Sequence, residues 1–201
     1  IKRPEHFTEG QQDVDYVLTT TEVTRMIKEA GIDLSQIEPE ALDMPFGLSS
    51  GAAAIFGVTG GVTEAVLRRL VHSSRMEDLQ DISFTGIRGI EGIKEASIQL
   101  EDRTVKIAVV NGLRCAETLL ERIKAGEVQY DFVEVMACKR GCIAGGGQPV
   151  PIGPRTKQAR LDGMYKIDSM AQIKRSDENP IIAEVYEGIL KGKEHKLLHN
   201  R

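Results

Sequence analysis

Cys138 and Cys142 stand four positions apart in the segment Glu134-Val135-Met136-Ala137-Cys138-Lys139-Arg140-Gly141-Cys142-Ile143-Ala144-Gly145-Gly146-Gly147-Gln148-Pro149. Thiolates are the ligands that iron–sulfur clusters select. Two of them on one loop can serve a single cluster, and glycines beside them let backbone N–H groups approach its sulfides. By spacing alone, two small buried side chains remain the commoner reading of such a pair. Glu134 precedes the loop on a buried strand, where it reads either as a hydrogen-bonding anchor for the loop or as a proton acceptor near a cluster. The third cysteine, Cys115, lies in a helical pattern and reads as a structural thiol.

The elements that must position this loop can be read from periodicity. Phe132 to Met136 is a short apolar run, a buried strand leading straight into the cysteines. Ahead of it, Ala96 to Leu100 and Val105 to Val110 flank Glu101-Asp102-Arg103-Thr104 as a hairpin, and Leu113 to Ala125 has a helical stripe closed by Gly126. Asp15 to Thr20 is β-prone and ends in hydroxyls able to cap a helix over Glu22 to Ala30, with Gly31 as its stop. A connecting loop is expected over Ile32 to Leu48, a helix over Val62 to His72, and a strand and turn over Phe84 to Gly92. The small residues from Ser49 to Gly61 permit close approach of backbone to a cofactor or to another helix. Helical patterns near Thr156 to Ile173 and Pro180 to Leu190 suggest a wrapping arm. The order predicts an α/β fold, a mixed sheet flanked by helices, with a lobe over residues 1–150 and a helical arm over 151–201. Sites in such sheets lie beyond the carboxyl ends of strands, which is where Cys138 falls.

Composition narrows the function class. At 201 residues with 41% hydrophobic and 28% charged residues, the chain is an ordinary globular protein able to bury a core without disulfides. A net charge of -4 argues against a nucleic-acid footprint. The most apolar run, Gly47 to Val62, is too short and too interrupted by hydroxyls to span a membrane. No signal-peptide pattern opens the chain, and the lack of a starting Met suggests a truncated or processed piece. Three cysteines, two of them close together, fit metal ligation in a reducing compartment such as the cytoplasm. Phosphate-loop, dinucleotide, zinc-protease and serine-hydrolase motifs are missing, and the four histidines are scattered.

The full cysteine segment resembles the third signature of the iron-only ([FeFe]) hydrogenases, Glu-x-Met-x-Cys-x-x-Gly-Cys-x-x-Gly-Gly-Gly-Gln-Pro, at every fixed position. Asp13 to Thr20, Phe56 to Val62, Val109 to Gly112 and the stretch from Glu178-Asn179-Pro180 to Leu198-His199 are similar to that family in the same order. The resemblance covers essentially the whole chain. It implies the C-terminal part of the catalytic domain of the large subunit. It also implies an H-cluster, a [4Fe–4S] cubane joined to a diiron unit with CO, cyanide and azadithiolate, that evolves or oxidises H₂. Carried over by position, Cys138 is a cubane ligand and Cys142 the thiolate bridging cubane and diiron unit. Met136, Phe56 and Val62 line the pocket, with Gly57 and Thr59 as close backbone; from the residues alone, Phe56, Val62 and Met136 read as core packing.

The family's other signatures, Thr-Ser-Cys-Cys-Pro and Met-Pro-Cys-x-x-Lys, are missing from these residues. The expected partners are therefore the missing N-terminal part of the same protein and a ferredoxin-like electron donor, with a homodimer through the exposed face as a further possibility. The chain alone is expected to be inactive, its cluster absent or incomplete. Two departures stand out: Lys139-Arg140 where the family usually has a Gly before Gly141, and Thr63 where Met is usual. Alternatives left open by the sequence are a non-catalytic member of the related cytosolic cluster-assembly family and a divergent H₂ sensor.

Overall fold

A computed structural model describes residues 7–38, 40, 43, 47–70, 92–100, 103–138, 141–150 and 152–198. The expected strand over Phe84 to Gly92 lies outside these, apart from its last residue. The chain forms two compact units, one of residues 1–39 with 146–152 and one of residues 40–145 with 153–201.

The first unit holds a two-residue hairpin, β1 (Phe7–Thr8) and β2 (Gln11–Gln12), and helix α1 (Thr20–Glu29). The run ahead of α1 is not the strand its residues suggest. Among the described residues it pairs with no other strand, and it is exposed, Tyr16 at 82%. β-propensity measures fit to a half-buried pleated surface, and without such a surface the apolar residues stay extended but unpaired. Its hydroxyls do cap the helix: Thr19 Oγ1 accepts from Glu22 N at 3.3 Å and Thr19 N donates to Glu22 Oε2 at 2.7 Å, a capping box. The Gly147 carbonyl accepts from both Thr21 N and Thr21 Oγ1 at 2.9 Å, which ties the glycine run after the cysteines to the start of α1.

The second unit is built on a three-stranded mixed sheet in the order β3 (Ile93–Leu100), β4 (Arg103–Asn111), β5 (Phe132–Met136). β3 and β4 are the expected hairpin, longer than the sequence suggested, with Leu100 paired to Arg103. β5 runs parallel to β4, and helix α4 (Leu113–Lys124) makes the crossover. β4 is central and buried on both faces from Ile107 onward, which is why it reads as a continuous apolar run instead of an alternating one. Val105, Ile107 and Val109 pack under Leu67 of helix α3 (Gly61–Leu70); Ala108 and Val110 pack under Ala116 and Leu119 of α4.

Ahead of α3 a short helix α2 (Gly51–Ala54) passes into a single 3₁₀ turn over Ile55–Gly57. Ile55 and Val58 form a third apolar cluster with Ile143 of the cysteine loop, and with Leu161, Met164 and Tyr165 of helix α5 (Pro154–Met170). The small-residue stretch thus lies against a helix: a Cβ on Gly51 would overlap the Asp168 carboxylate, and one on Gly61 the Ile55 carbonyl oxygen. Helices α6 (Pro180–Glu187) and α7 (Glu194–Leu198) follow. Asn179 caps α6 by accepting from Ile181 N at 3.0 Å, and its amide donates to the Leu48 carbonyl at 3.0 Å.

A buried polar cluster joins α3 and α5 in this unit. Arg68 of α3, 3% exposed, donates to both oxygens of Asp168 of α5 at 2.7 Å and pairs with Glu64 one turn back. Burial alone would pull the guanidinium pKa down; the hydrogen bonds from it to Asp168 and the two nearby negative charges outweigh that and push it up. Among the described residues no helix is long and apolar enough to cross a membrane.

Candidate functional site

β4 and β5 end together, Asn111 opposite Met136 in the parallel register, and everything next to the cysteines is hung from these two strand ends. The Met136 carbonyl accepts from Gly112 N at 2.8 Å, so the partly buried Met136 is fixed where β5 gives way to the loop. Cys138 follows after one residue and turns the chain, its carbonyl accepting from Gly141 N at 3.0 Å. Cys142 then opens a 3₁₀ turn, Cys142–Ala144. Both thiols are free and exposed.

Gly141 is the pivot of the loop. Its backbone, φ 74 and ψ -176, belongs to a region essentially closed to residues with a side chain. A Cβ there would also come within 3.0 Å of the Gly57 carbonyl oxygen and 3.4 Å of Thr59 N. Cys142 therefore takes its position from a backbone laid directly against the Gly57–Thr59 segment, with Ile143 buried behind it. The Ile143 carbonyl accepts from Arg160 Nη1 of α5 at 2.7 Å. Gly141→Ala is expected to cost about 1–3 kcal/mol of unfolding free energy, the usual range for such backbone strain. A urea midpoint read beside the alkylation rate of Cys142 checks this, because a displaced loop changes both.

The Gly57–Gly61 segment is itself pinned from below. Glu134, 7% exposed on β5, accepts from Gly60 N through Oε1 and from Thr63 N and Thr63 Oγ1 through Oε2, each at 2.7 Å. Both carboxylate oxygens are engaged, and the negative charge sits at the amino end of α3, where unpaired N–H groups and the helix dipole favour it. Of the two readings open for Glu134 in the sequence, this arrangement is the anchor. Asn111 Nδ2 donates to Thr59 Oγ1 at 3.0 Å, a second pin from the end of β4. Asn111, Thr59 and Thr63 are all buried.

The structure thus gathers Gly57, Thr59, Met136, Cys138 and Cys142 into one region at the carboxyl ends of β4 and β5. Val62 is half-buried in the first turn of α3. Phe56, 47% exposed, borders a groove with Val66 and Leu70 of α3 and Ile182 of α6, a groove whose described walls include neither cysteine. Among the described residues no group of three or more His, Cys, Asp or Glu side chains could hold a metal ion, so the thiols stand as a pair. Sequence reading passed over the Asn111–Thr59 contact and the Arg68 cluster. Glu64 and Arg68 do have the i,i+4 spacing of a helical ion pair, but nothing in one sequence signals that the pair is buried or that Asp168 closes it.

Residues 1–146 match the family model described as iron only hydrogenase large subunit, C-terminal domain, and residues 154–201 match the model described as iron hydrogenase small subunit. The NADP-reducing hydrogenase subunit HndD of Solidesulfovibrio fructosivorans is 41% identical over 98% of this chain, and iron hydrogenase 1 of Clostridium pasteurianum 38% identical over 98%. Cytosolic iron-sulfur assembly component 3 of Mus musculus is 32% identical over 99%. The chain spans only 34%, 36% and 44% of those three proteins. Among solved structures, an [FeFe]-hydrogenase described as revealing stepwise H-cluster assembly superposes with a TM-score of 0.66 at 34% identity, covering 97% of this chain and 57% of that one. A single-residue variant of a Chlamydomonas reinhardtii [FeFe]-hydrogenase gives 0.65 at 34% identity, covering 94% of this chain and 55% of that one.

Proposed function

Because the chain belongs to the iron-only hydrogenase large-subunit family, we propose that it forms one wall of an H-cluster site whose two thiolates from this chain are Cys138 and Cys142. The observation that carries the reading is the seating of Gly141 on the Gly57–Thr59 backbone, which presents both exposed thiols beside glycine-rich main chain. A cubane is bulky and anionic and accepts hydrogen bonds at its sulfides, so a pair of thiolates with unobstructed backbone next to them fits it. Cys138 would then hold the cubane, and Cys142 would supply the second thiolate, the one serving both parts of the cluster. Gly57 and Thr59 bring backbone close, and Met136 and Val62 keep the surroundings apolar; Phe56, which borders the groove of α3 and α6, is not one of them.

When bound, the cluster supplies the redox chemistry that interconverts protons and electrons with H₂. The chain supplies ligands, orientation and exclusion of water. A cubane takes four cysteines, so the other ligands come from the rest of the parent protein, and this chain by itself is inactive. That remaining part and a ferredoxin-like electron donor are the partners in this reading, the cytoplasm is the compartment, and residues 151–201 act as a helical arm. Without its other half the exposed face is open to a homodimer.

A second reading has its own support: the mouse cluster-assembly component matches 99% of the chain, so a non-catalytic iron–sulfur protein of that related family is the alternative. Joining the chain to the missing part of the catalytic domain and maturing it anaerobically separates the two. Infrared bands of metal-bound CO and cyanide, with H₂ evolution from a reduced donor, are the expected result. A product that carries its full iron and sulfide yet lacks those bands contradicts the hydrogenase reading, and passage of its cluster to an apo-acceptor then favours assembly.

A further inference from the structure

We propose that Glu134 and Thr63 together are positioning residues for the cysteine loop. This rests on the reading of Cys138 and Cys142 as cluster ligands. Four hydrogen bonds form the device. The carboxylate of Glu134 holds Gly60 N, Thr63 N and Thr63 Oγ1 at 2.7 Å each, and Asn111 Nδ2 holds Thr59 Oγ1 at 3.0 Å. The backbone from Gly57 to Thr63 is therefore fastened to the ends of β4 and β5 at three residues.

Gly141 rests on that same backbone, and Cys142 is its neighbour in sequence. Position is thus handed from strand end to α3 terminus to cysteine. Thr63 is fully buried, so its hydroxyl has no water to turn to if Glu134 moves, and Glu134 has no water to replace the hydroxyl. A buried charged hydrogen bond of this kind is directional and costly to leave half-made. Without the hydroxyl the carboxylate would keep only its two backbone donors. The hydroxyl gives Glu134 a third donor and narrows the orientations open to it.

The test uses the whole chain, metal-free and with cobalt(II) as probe, in Thr63→Val, Thr63→Ser and Glu134→Gln. Hydrogen exchange at the Gly60 and Thr63 amides, the alkylation rate of Cys142 and the cobalt(II) affinity are measured on each. Thr63→Val is expected to raise the exchange and the alkylation rate and to weaken cobalt binding, each by about five-fold, as for loss of one buried hydrogen bond. Thr63→Ser, which restores the hydroxyl, is expected to return all three toward the parent values, a rescue that mere space-filling would not give. If Thr63→Val remains folded with Cys142 reactivity and cobalt affinity unchanged, the proposal is overturned. Should that variant fail to fold, Glu134→Gln against Thr63→Ser decides in the same way. A parent chain that binds no cobalt through its thiols sinks the ligand assignment instead, and the alkylation contrast still decides the positioning role.

Discussion

In the matured, completed protein, Cys142→Ala is expected to reduce the infrared bands of metal-bound CO and cyanide to about a hundredth of their parent intensity or less. Loss of a hydrogen bond to a metal ligand commonly costs 10–100-fold in affinity; loss of a ligand shared by both halves of a cluster costs at least the upper figure. In the proposed assignment Cys138→Ala removes a ligand from the cubane only, and the expected loss is nearer about ten-fold by the same scale. The contrast matters more than either value. The two thiols share exposure and a loop, so a general disturbance of that loop would affect the variants alike. Equal losses would remove the distinction between cubane ligand and bridge.

Arg68→Ala is expected to lower the unfolding free energy by about 3–5 kcal/mol, the cost of breaking a buried ion pair by deleting one partner. Glu64 and Asp168 would lose the guanidinium they share in a buried setting. Against a whole-protein stability of about 5–15 kcal/mol this is a severe loss, visible as a large fall in the urea midpoint. Arg68→Lys keeps the charge but cannot reach both oxygens of Asp168 at once, so an intermediate midpoint is expected. The triple replacement Arg68→Met, Glu64→Gln, Asp168→Leu is expected to recover much of the loss, because the cost lies in the orphaned charges. A single-variant midpoint close to that of the parent would show that the guanidinium does not tie α3 to α5.

How much of this could be read beforehand depends on whether the signal was local. The hairpin of β3 and β4, the crossover helix α4, the strand β5 and the capped start of α1 follow from periodicity and capping chemistry within a few residues of each element, but β5 is not the buried strand its apolar run suggests: Val133 and Val135 are exposed and Glu134 is its buried residue. Asp15 to Thr20 failed as a strand because pairing is not a local property: Val17 and Leu18 need a neighbouring strand, and among the described residues none pairs with them. The cysteine pair was legible as a motif and its place after a strand as a consequence of topology. What could not be read was the support beneath it. Glu134 meets Gly60 and Thr63 across more than seventy residues of chain, and Asn111 meets Thr59 across fifty-two, contacts that only folding brings together. Gly141 was visible as a fixed motif glycine, but its reason, a backbone conformation combined with contact to Gly57, belongs to the packed structure.

The central claim is that the two thiols serve one metal site. Titration of the reduced chain with cobalt(II) under argon tests it most directly, since thiolate-to-cobalt charge-transfer absorption grows with the number of sulfurs bound. The expected result is saturation at one cobalt per chain with two thiolates bound, and collapse of that band in Cys138→Ala and Cys142→Ala alike, with Cys115→Ala unchanged. Two independent one-thiolate sites, or a band that survives loss of either loop cysteine, would contradict it.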